Sequence, residues 1–282
     1  MDLARHPAVR RLVETALEED IGRGDVTTRA ALPSGLGAVA AIVAQEPCVI
    51  AGTFLAPLVY ATLDPGLATE CLVADGTSVA TGGTVLRIAG PAAPILAGER
   101  VLLNLLQHLS GVATQTRRFV DAVAGTGVAI VDTRKTTPGL RLLEKHAVCA
   151  GGGVNHRFGL DDGILIKNTH LALGGGTAAT VRRVRAQAPV GLRVQVECRS
   201  AADVEAALAA GVDAVLLDNL SVEQAAALVR LVGGRVAVEL SGGMTLENVA
   251  AYAAIGANRI SIGALTHSAP AVALHLCTEA AP

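Results

Sequence analysis

The strongest constraint on the fold is a rhythm that begins after residue 125. Short apolar runs recur along the chain: VAIV (128–131), ILIK (164–167), RVQVE (193–197), AVLL (214–217), VAVEL (236–240) and RISI (259–262). Most are separated by Ala- and Leu-rich helical stretches of about ten residues, the βαβ alternation that predicts a parallel sheet or barrel. Each run gives way to polar or glycine residues. The first leads into Asp132, Arg134 and Lys135, the second ends on Lys167, the third on Glu197, and the fourth reaches Asp218. The fifth leads into Ser241, Gly242 and Gly243, and the sixth into Gly263. Taken singly, each of these is equally a helix cap or a solvated loop residue. Taken together they predict one site, because the C-terminal strand ends of a β/α barrel converge on a single mouth.

The chain before this region reads differently. Residues 8–20 form an amphipathic helix pattern that stops at IGRGD. Between Ala38 and Ala89, short Val/Ile/Thr segments separated by DG, GG and PG turns predict strands, so this part reads as α+β. Within it, ADGTSVATGGTVLRIAG has the hairpin pattern of biotinyl or lipoyl carriers, but no lysine sits at a tip, and it reads as a structural hairpin. From Ala97 to Val123 a long helix places Leu102, Leu103, Leu105, Leu106 and Leu109 on one side. Arg100, Asn104 and either Gln107 or His108 make a polar stripe along it, which local sequence alone reads as a solvated face.

A length of 282 residues suits one large α/β barrel or two domains. Half the residues (51%) are hydrophobic but only 2% are aromatic, with no Trp, so the core is built from Ala, Val, Leu and Ile and base stacking is disfavoured. The net charge of −2 offers no general attraction to nucleic acid or an anionic membrane. The apolar runs Ala30–Ala44 and Pro47–Leu63 are broken by Pro and Gly and fall short of the roughly 20 residues of a spanning helix. The N-terminus is charged and amphipathic, unlike a secretory signal. Cys48, Cys71, Cys149, Cys198 and Cys277 are odd in number and lack a C-x-x-C pair. They predict reduced thiols in the cytoplasm rather than disulfides or a zinc site.

The glycine turns SGG and IGA, each followed by a helical segment, are suited to a phosphate. Glu197 and Asp218 on neighbouring strands offer hard oxygens, for ribose hydroxyls or for Mg2+ held mainly through water and substrate phosphates. Opposite them stand Arg134, Lys135, His156, Arg157 and Lys167, too many cations for one phosphate already served by backbone amides. Arginine suits bidentate recognition of carboxylates. The predicted ligands are a sugar phosphate with further phosphate groups and a small polyanion such as a dicarboxylate. Gly151, Gly152 and Gly153 let the backbone approach closely and turn toward His156 and Arg157.

The stretch DTRKTTPGLRLLEKHAVCAGGGVNHR (132–157) resembles the signature of the quinolinate phosphoribosyltransferases, also called carboxylating nicotinate-nucleotide pyrophosphorylases. The resemblance continues through EDIGRGDVTT, GERVLLNLLQHLSGVAT, LLDN, ELSGG and IGALTHS. It implies an α/β fold of two domains: an N-terminal α/β sandwich over residues 1–112, joined by residues 268–282, and a C-terminal incomplete β/α barrel over 113–267. It also implies a homodimer, open to further assembly, in which one subunit's N-terminal domain covers the other's barrel mouth and Arg100 of the E-R-x-x-L-N motif reaches the partner's site. By motif, Arg134, His156, Arg157 and Lys167 would hold quinolinate. Lys135, Glu197 and Asp218 would meet phosphoribosyl pyrophosphate and magnesium, Glu197 and Asp218 being the expected metal ligands. Ser241, Gly242, Gly243 and Gly263 would hold the 5′-phosphate, and Lys135, Lys167, Glu197 and Asp218 are the expected catalytic groups.

Two departures stand out. Lys167 is followed by Asn168, Thr169 and His170 where the family usually reads acidic, Asn, His. Glu197 is followed by Cys198 and Arg199 where a small or acidic residue is commoner, and Arg199, two residues on, faces the same way as Glu197. Two other readings remain. An aldolase would use Lys135 or Lys167 as a Schiff-base lysine. A ligand-binding protein would resemble the sister family associated with molybdenum transport, whose pattern lacks the Asn155-His156-Arg157 triplet and Lys167.

Overall fold

A computed structural model describes residues 2–280. The chain divides into two compact units: residues up to Gln115, 137–152 and from Ser268 onward make the first, and Thr116–Thr136 with Gly153–His267 make the second.

In the first unit, α1 (Pro7–Ile21) buries Val9, Val13 and Leu17, whose four-residue spacing makes one apolar stripe. Pro7 sits at the start, where its missing N–H costs nothing, and His6 accepts the N–H of Ala8. The short α2 (Val26–Ala31) is capped by Asp25, which accepts the N–H of Thr28. Four antiparallel strands form a sheet in the order β12-β1-β5-β3: β1 (Gly37–Ala44), β3 (Ala68–Cys71), β5 (Thr84–Pro91) and β12 (Leu274–Ala280). Along β1 the residues Ala38, Ala40, Ile42 and Ala44 are buried in strict alternation. The separate pair β2 (Cys48–Val49) and β4 (Ser78–Val79) carries the expected hairpin apart: β4 pairs with β2, and β5 with β1 and β3. Gly82 and Gly83 therefore pass the chain from one sheet to another.

A helix, α3 (Leu55–Leu63), lies in a region that Val/Ile/Thr content marked for strands. Its Pro57 falls in the first turn, where proline is tolerated, and Leu55, Ala56, Val59 and Tyr60 are buried. The long α4 (Ala92–Ala122) starts five residues earlier than its leucine pattern indicates, and Leu102, Leu106 and Leu109 are fully buried. Its stripe divides. Arg100 and Asn104 are exposed, whereas Gln107 Nε2 donates to Leu274 O at 2.7 Å and His108 Nε2 lies 2.8 Å from Glu144 Oε1. Gly111 permits a close approach, since a Cβ there would stand 2.1 Å from the carbonyl oxygen of Pro270.

The second unit is a parallel sheet in the order β6-β11-β10-β9-β8-β7, comprising β6 (Ala129–Val131), β7 (Ile164–Ile166), β8 (Val194–Cys198), β9 (Ala214–Asp218), β10 (Ala237–Ser241) and β11 (Arg259–Ser261). All six coincide with the apolar runs of the sequence to within a residue. Among the described residues β6 and β7 do not pair, so the barrel is incomplete. Val194, Val196, Val215, Leu217, Val238, Leu240 and Ile260 are buried on one face, and Gln195, Glu197, Leu216, Asp218, Glu239 and Ser241 alternate onto the other. Helices α6 (Asn168–Gly174), α7 (Thr177–Gln187), α8 (Ala201–Ala209), α9 (Val222–Val232), α10 (Val249–Ala253) and α11 (Ala264–His267) connect the strands. Ser200 with Asp203 and Ser221 with Gln224 form capping boxes that start α8 and α9 immediately after β8 and β9. The register aligns the strand ends: Val131 with Ser261, Ser261 with Ser241, Ser241 with Asp218, and Cys198 with Leu217.

Candidate active site

That register brings the polar strand ends together around a cavity of about 700 Å3 in the second unit. Its lining includes Arg134, Lys135, His156, Arg157, Lys167, Glu197, Asp218, Ser241, Gly242, Gly243 and Gly263. Every site residue named from the barrel strands is present. Arg100 does not line it; it is exposed on α4 in the first unit. Arg141, Lys145 and His146, cations of the same signature stretch, also lie in the first unit, on α5 (Arg141–Ala150). There His146 Nε2 meets Asp75 Oδ2 at 2.7 Å and Lys145 is buried.

The floor of the cavity contains groups that the sequence pattern did not single out. Glu239, only 2% exposed, accepts from His156 Nε2 at 3.2 Å and from Gln195 Nε2 at 3.1 Å, both at Oε2. Burial pushes its carboxyl upward, but the hydrogen bond and charge of His156, with Gln195, hold it below the ordinary glutamate range. Asp132, fully buried, accepts the backbone N–H of His156 at Oδ1, 2.8 Å away. His156 is thus held at its backbone by one carboxylate and at its ring by another. The available signal was a lone Glu within the apolar run VAVEL, on the alternate positions it shares with Ser241.

The cations are crowded. Burial, and then the positive charge of Arg134, push the Arg157 guanidinium below its ordinary value, while its Nη1 donates to Gly163 O at 2.9 Å. Lys135 is placed by its backbone, whose carbonyl accepts the Thr266 hydroxyl at 2.7 Å and whose N–H reaches the Thr133 hydroxyl at 3.0 Å. Lys167 is exposed at the start of α6, its N–H donating to His170 Nδ1 at 2.9 Å. Two guanidinium groups this close favour a ligand that brings more than one negative charge.

On β8 and β9, Glu197 and Asp218 are linked through Arg199, whose Nη2 lies 3.1 Å from Glu197 Oε1 and 3.0 Å from Asp218 Oδ2. Asn168 Nδ2 also donates to Glu197 Oε1 at 2.9 Å. Cys198 faces away, and burial pushes its thiol up to about 12, which removes it as a nucleophile. A directly held Mg2+ needs oxygens near 2.0–2.1 Å in about octahedral array. The carboxylate pair does not fit that requirement, because a guanidinium nitrogen already occupies the position between its oxygens. Among the described residues, no group of three or more His, Cys, Asp or Glu side chains could hold a metal ion.

The IGA turn has the expected strand-to-helix form, α11 starting at Ala264 directly after Gly263, whereas the SGG turn does not. Five residues separate Gly243 from α10, and α10 and α11 are both short. Gly242 is required by its conformation: φ is +98°, and a Cβ would fall 2.2 Å from Asn219 Oδ1 and 2.9 Å from Asn219 N.

An incomplete parallel β/α barrel with glycine turns, a carboxylate pair and a cation cluster around one mouth defines an enzyme of the phosphoribosyltransferase class. Two family models match: the quinolinate phosphoribosyl transferase N-terminal domain over residues 25–110 and its C-terminal domain over 112–277. The chain belongs to the quinolinate phosphoribosyltransferase family. It is 43% identical over 267 residues to the nicotinate-nucleotide pyrophosphorylase [carboxylating] of Mycobacterium leprae, covering 93% of this chain and 94% of the relative. It is 40% identical over 263 residues to the probable enzyme of that name from Bacillus subtilis, covering 93% and 91%. The structure of the nicotinate-nucleotide pyrophosphorylase from Francisella tularensis superposes with a TM-score of 0.94 at 34% identity, covering 99% of both chains. These matches do not favour the molybdenum-associated ligand-binding reading. Among the described residues, no helix is long and apolar enough to cross a membrane.

Proposed function

We propose that the protein transfers the phosphoribosyl group of phosphoribosyl pyrophosphate to quinolinate with decarboxylation, yielding nicotinate mononucleotide, pyrophosphate and CO2 in NAD biosynthesis. The observation that carries this reading is the cation cluster. Arg134 is close enough for its charge to push the Arg157 guanidinium below its ordinary value, beside His156 and Lys167 in the same cavity. Such a cluster matches a dicarboxylate and leaves charge unpaired against a monocarboxylate.

The roles follow from position. Arg134, His156, Arg157 and Lys167 hold the two carboxylates and orient the pyridine nitrogen. Ser241, Gly242, Gly243 and Gly263 hold the 5′-phosphate, and Glu197 and Asp218 face the ribose hydroxyls. The nitrogen lone pair forms the bond to C1 of the ribose as the C1–oxygen bond breaks, and its electron pair leaves on pyrophosphate, beside Lys135. The carboxylates support positive charge that develops on the ribose. The ring nitrogen is then cationic, so the bond from C2 to its carboxylate can break, CO2 leaving and the electron pair remaining on C2. One proton taken up at C2 completes nicotinate mononucleotide. Mg2+, when bound, would supply charge neutralisation for the leaving pyrophosphate alongside Lys135.

A homodimer is part of the proposal. Arg100 is exposed and absent from its own cavity, which suits a residue that completes the partner subunit's site. A cytoplasmic location suits the free cysteines Cys48, Cys71, Cys149, Cys198 and Cys277. The test is chromatography of product formed from phosphoribosyl pyrophosphate, Mg2+ and either quinolinate or nicotinate. Nicotinate mononucleotide is expected from quinolinate alone, and comparable turnover of nicotinate contradicts the reading.

A further inference from the structure

Arg199 lies within the cavity and joins the two carboxylates that face it. Its Nη2 contacts Glu197 Oε1 at 3.1 Å and Asp218 Oδ2 at 3.0 Å. The same two oxygens take amide donors, Asn168 Nδ2 at 2.9 Å on Glu197 and Asn219 Nδ2 at 2.8 Å on Asp218. Each oxygen therefore has two donors already, and the nitrogen shared between them bears positive charge. The arginine is also aimed from a fixed base. Its N–H donates to Asp203 Oδ2 at 3.0 Å, beside the Ser200 cap of α8.

A divalent cation between two carboxylates would neutralise them and hold them at a set separation. Arg199 supplies the second effect and half of the first from the protein chain, its single positive charge offsetting one of the two negative charges. A dication brought to those oxygens meets like charge a few ångströms away, in a water-accessible mouth where the guanidinium side chain is 56% exposed. We infer that Arg199 is a positioning residue that takes the protein-side place of a divalent cation, so that Glu197 and Asp218 present a fixed, half-neutralised pair to the ribose and the metal ion enters only on the pyrophosphate-bearing substrate. This rests on the transfer reaction proposed above for the meaning of the site, but its central consequence concerns the substrate-free protein.

The test titrates Mn2+ against the full chain without substrate and follows free Mn2+ by electron paramagnetic resonance. Wild-type protein and Arg199→Lys, which keeps a positive charge in reach of both oxygens, should bind weakly and alike. Arg199→Ala and Arg199→Gln should bind roughly 30-fold more tightly, the factor expected on removing one unit charge about 4 Å from a dication in water-like surroundings. Equal affinity in all four proteins overturns the inference, as does an Arg199→Lys protein that binds like Arg199→Ala. Circular dichroism confirms that each variant is folded. No turnover enters the readout, so failure of this titration and failure of the transfer reaction are separate results.

Discussion

Removing the Glu239 carboxylate should disable the site from beneath. It is 2% exposed, and Oε2 takes two bonds, from His156 Nε2 at 3.2 Å and Gln195 Nε2 at 3.1 Å. Glu239→Ala removes the acceptor shared by the buried Gln195 amide and the part-buried His156 ring; loss at the buried Gln195 alone costs about 1–3 kcal/mol in stability. Glu239→Gln keeps an acceptor but not the charge. The difference between charged and neutral hydrogen bonds is about 1–1.5 kcal/mol, which becomes about a 5- to 13-fold fall in kcat/KM for quinolinate if His156 must be oriented to act. Initial rates at saturating phosphoribosyl pyrophosphate give the second quantity, and urea unfolding followed by circular dichroism gives the first. Wild-type kcat/KM together with an unchanged unfolding midpoint in Glu239→Ala would refute the argument that Glu239 holds His156 in place.

Arg134→Lys keeps the charge but loses the planar fork, and kcat/KM for quinolinate should fall about 10- to 150-fold; wild-type saturation by quinolinate would count against direct contact. Arg100→Ala and Lys167→Ala should each be inactive, yet subunit exchange between them should restore roughly a quarter of wild-type activity, because half the dimers then carry one intact mouth. Exchange without recovery would confine Arg100 to its own chain. At low pH the Asp75 carboxylate becomes decisive. Burial raises its pKa, but His146, the N–H groups of Gly52 and Thr53 and the Thr53 hydroxyl together hold it below the ordinary aspartate range. A folded value below the unfolded one, about 3.9, means its stabilisation is present above about pH 4 and is lost as pH falls through the folded value. Acid unfolding of Asp75→Asn should accordingly show a shallower pH dependence below pH of about 4; an unchanged slope would contradict this.

The barrel was legible because its strands are short, apolar and punctuated, and because each ends at the mouth on a residue type with chemistry to offer. Asp218 and Ser241 were placed side by side by register alone. The first unit was harder to read. Apolar content does not distinguish α3 from a strand, and only pairing with β2 rather than β5 reveals that β4 makes no hairpin. The cations of residues 132–157 look like one cluster in sequence, but the chain leaves the barrel through α5 and returns at Gly153, so Arg141, Lys145 and His146 serve another unit. Glu239 escaped notice because a strand interior conceals it: its importance arises from His156, 83 positions away in the chain, which the sheet brings within 3.2 Å. Arg199 was visible as a departure, but its bridge to Asp218 depends on the adjacency of β8 and β9.

Transfer of the ribose should remove one carboxylate of quinolinate and keep the other, and position-specific labelling distinguishes the two. Quinolinate carrying 13C in its 2-carboxylate is incubated with the enzyme, phosphoribosyl pyrophosphate and Mg2+, and labelled CO2, pyrophosphate and nicotinate mononucleotide are quantified together. One equivalent of each is expected, with no label in the nucleotide. Label retained in the nucleotide, or pyrophosphate released without CO2, would contradict it.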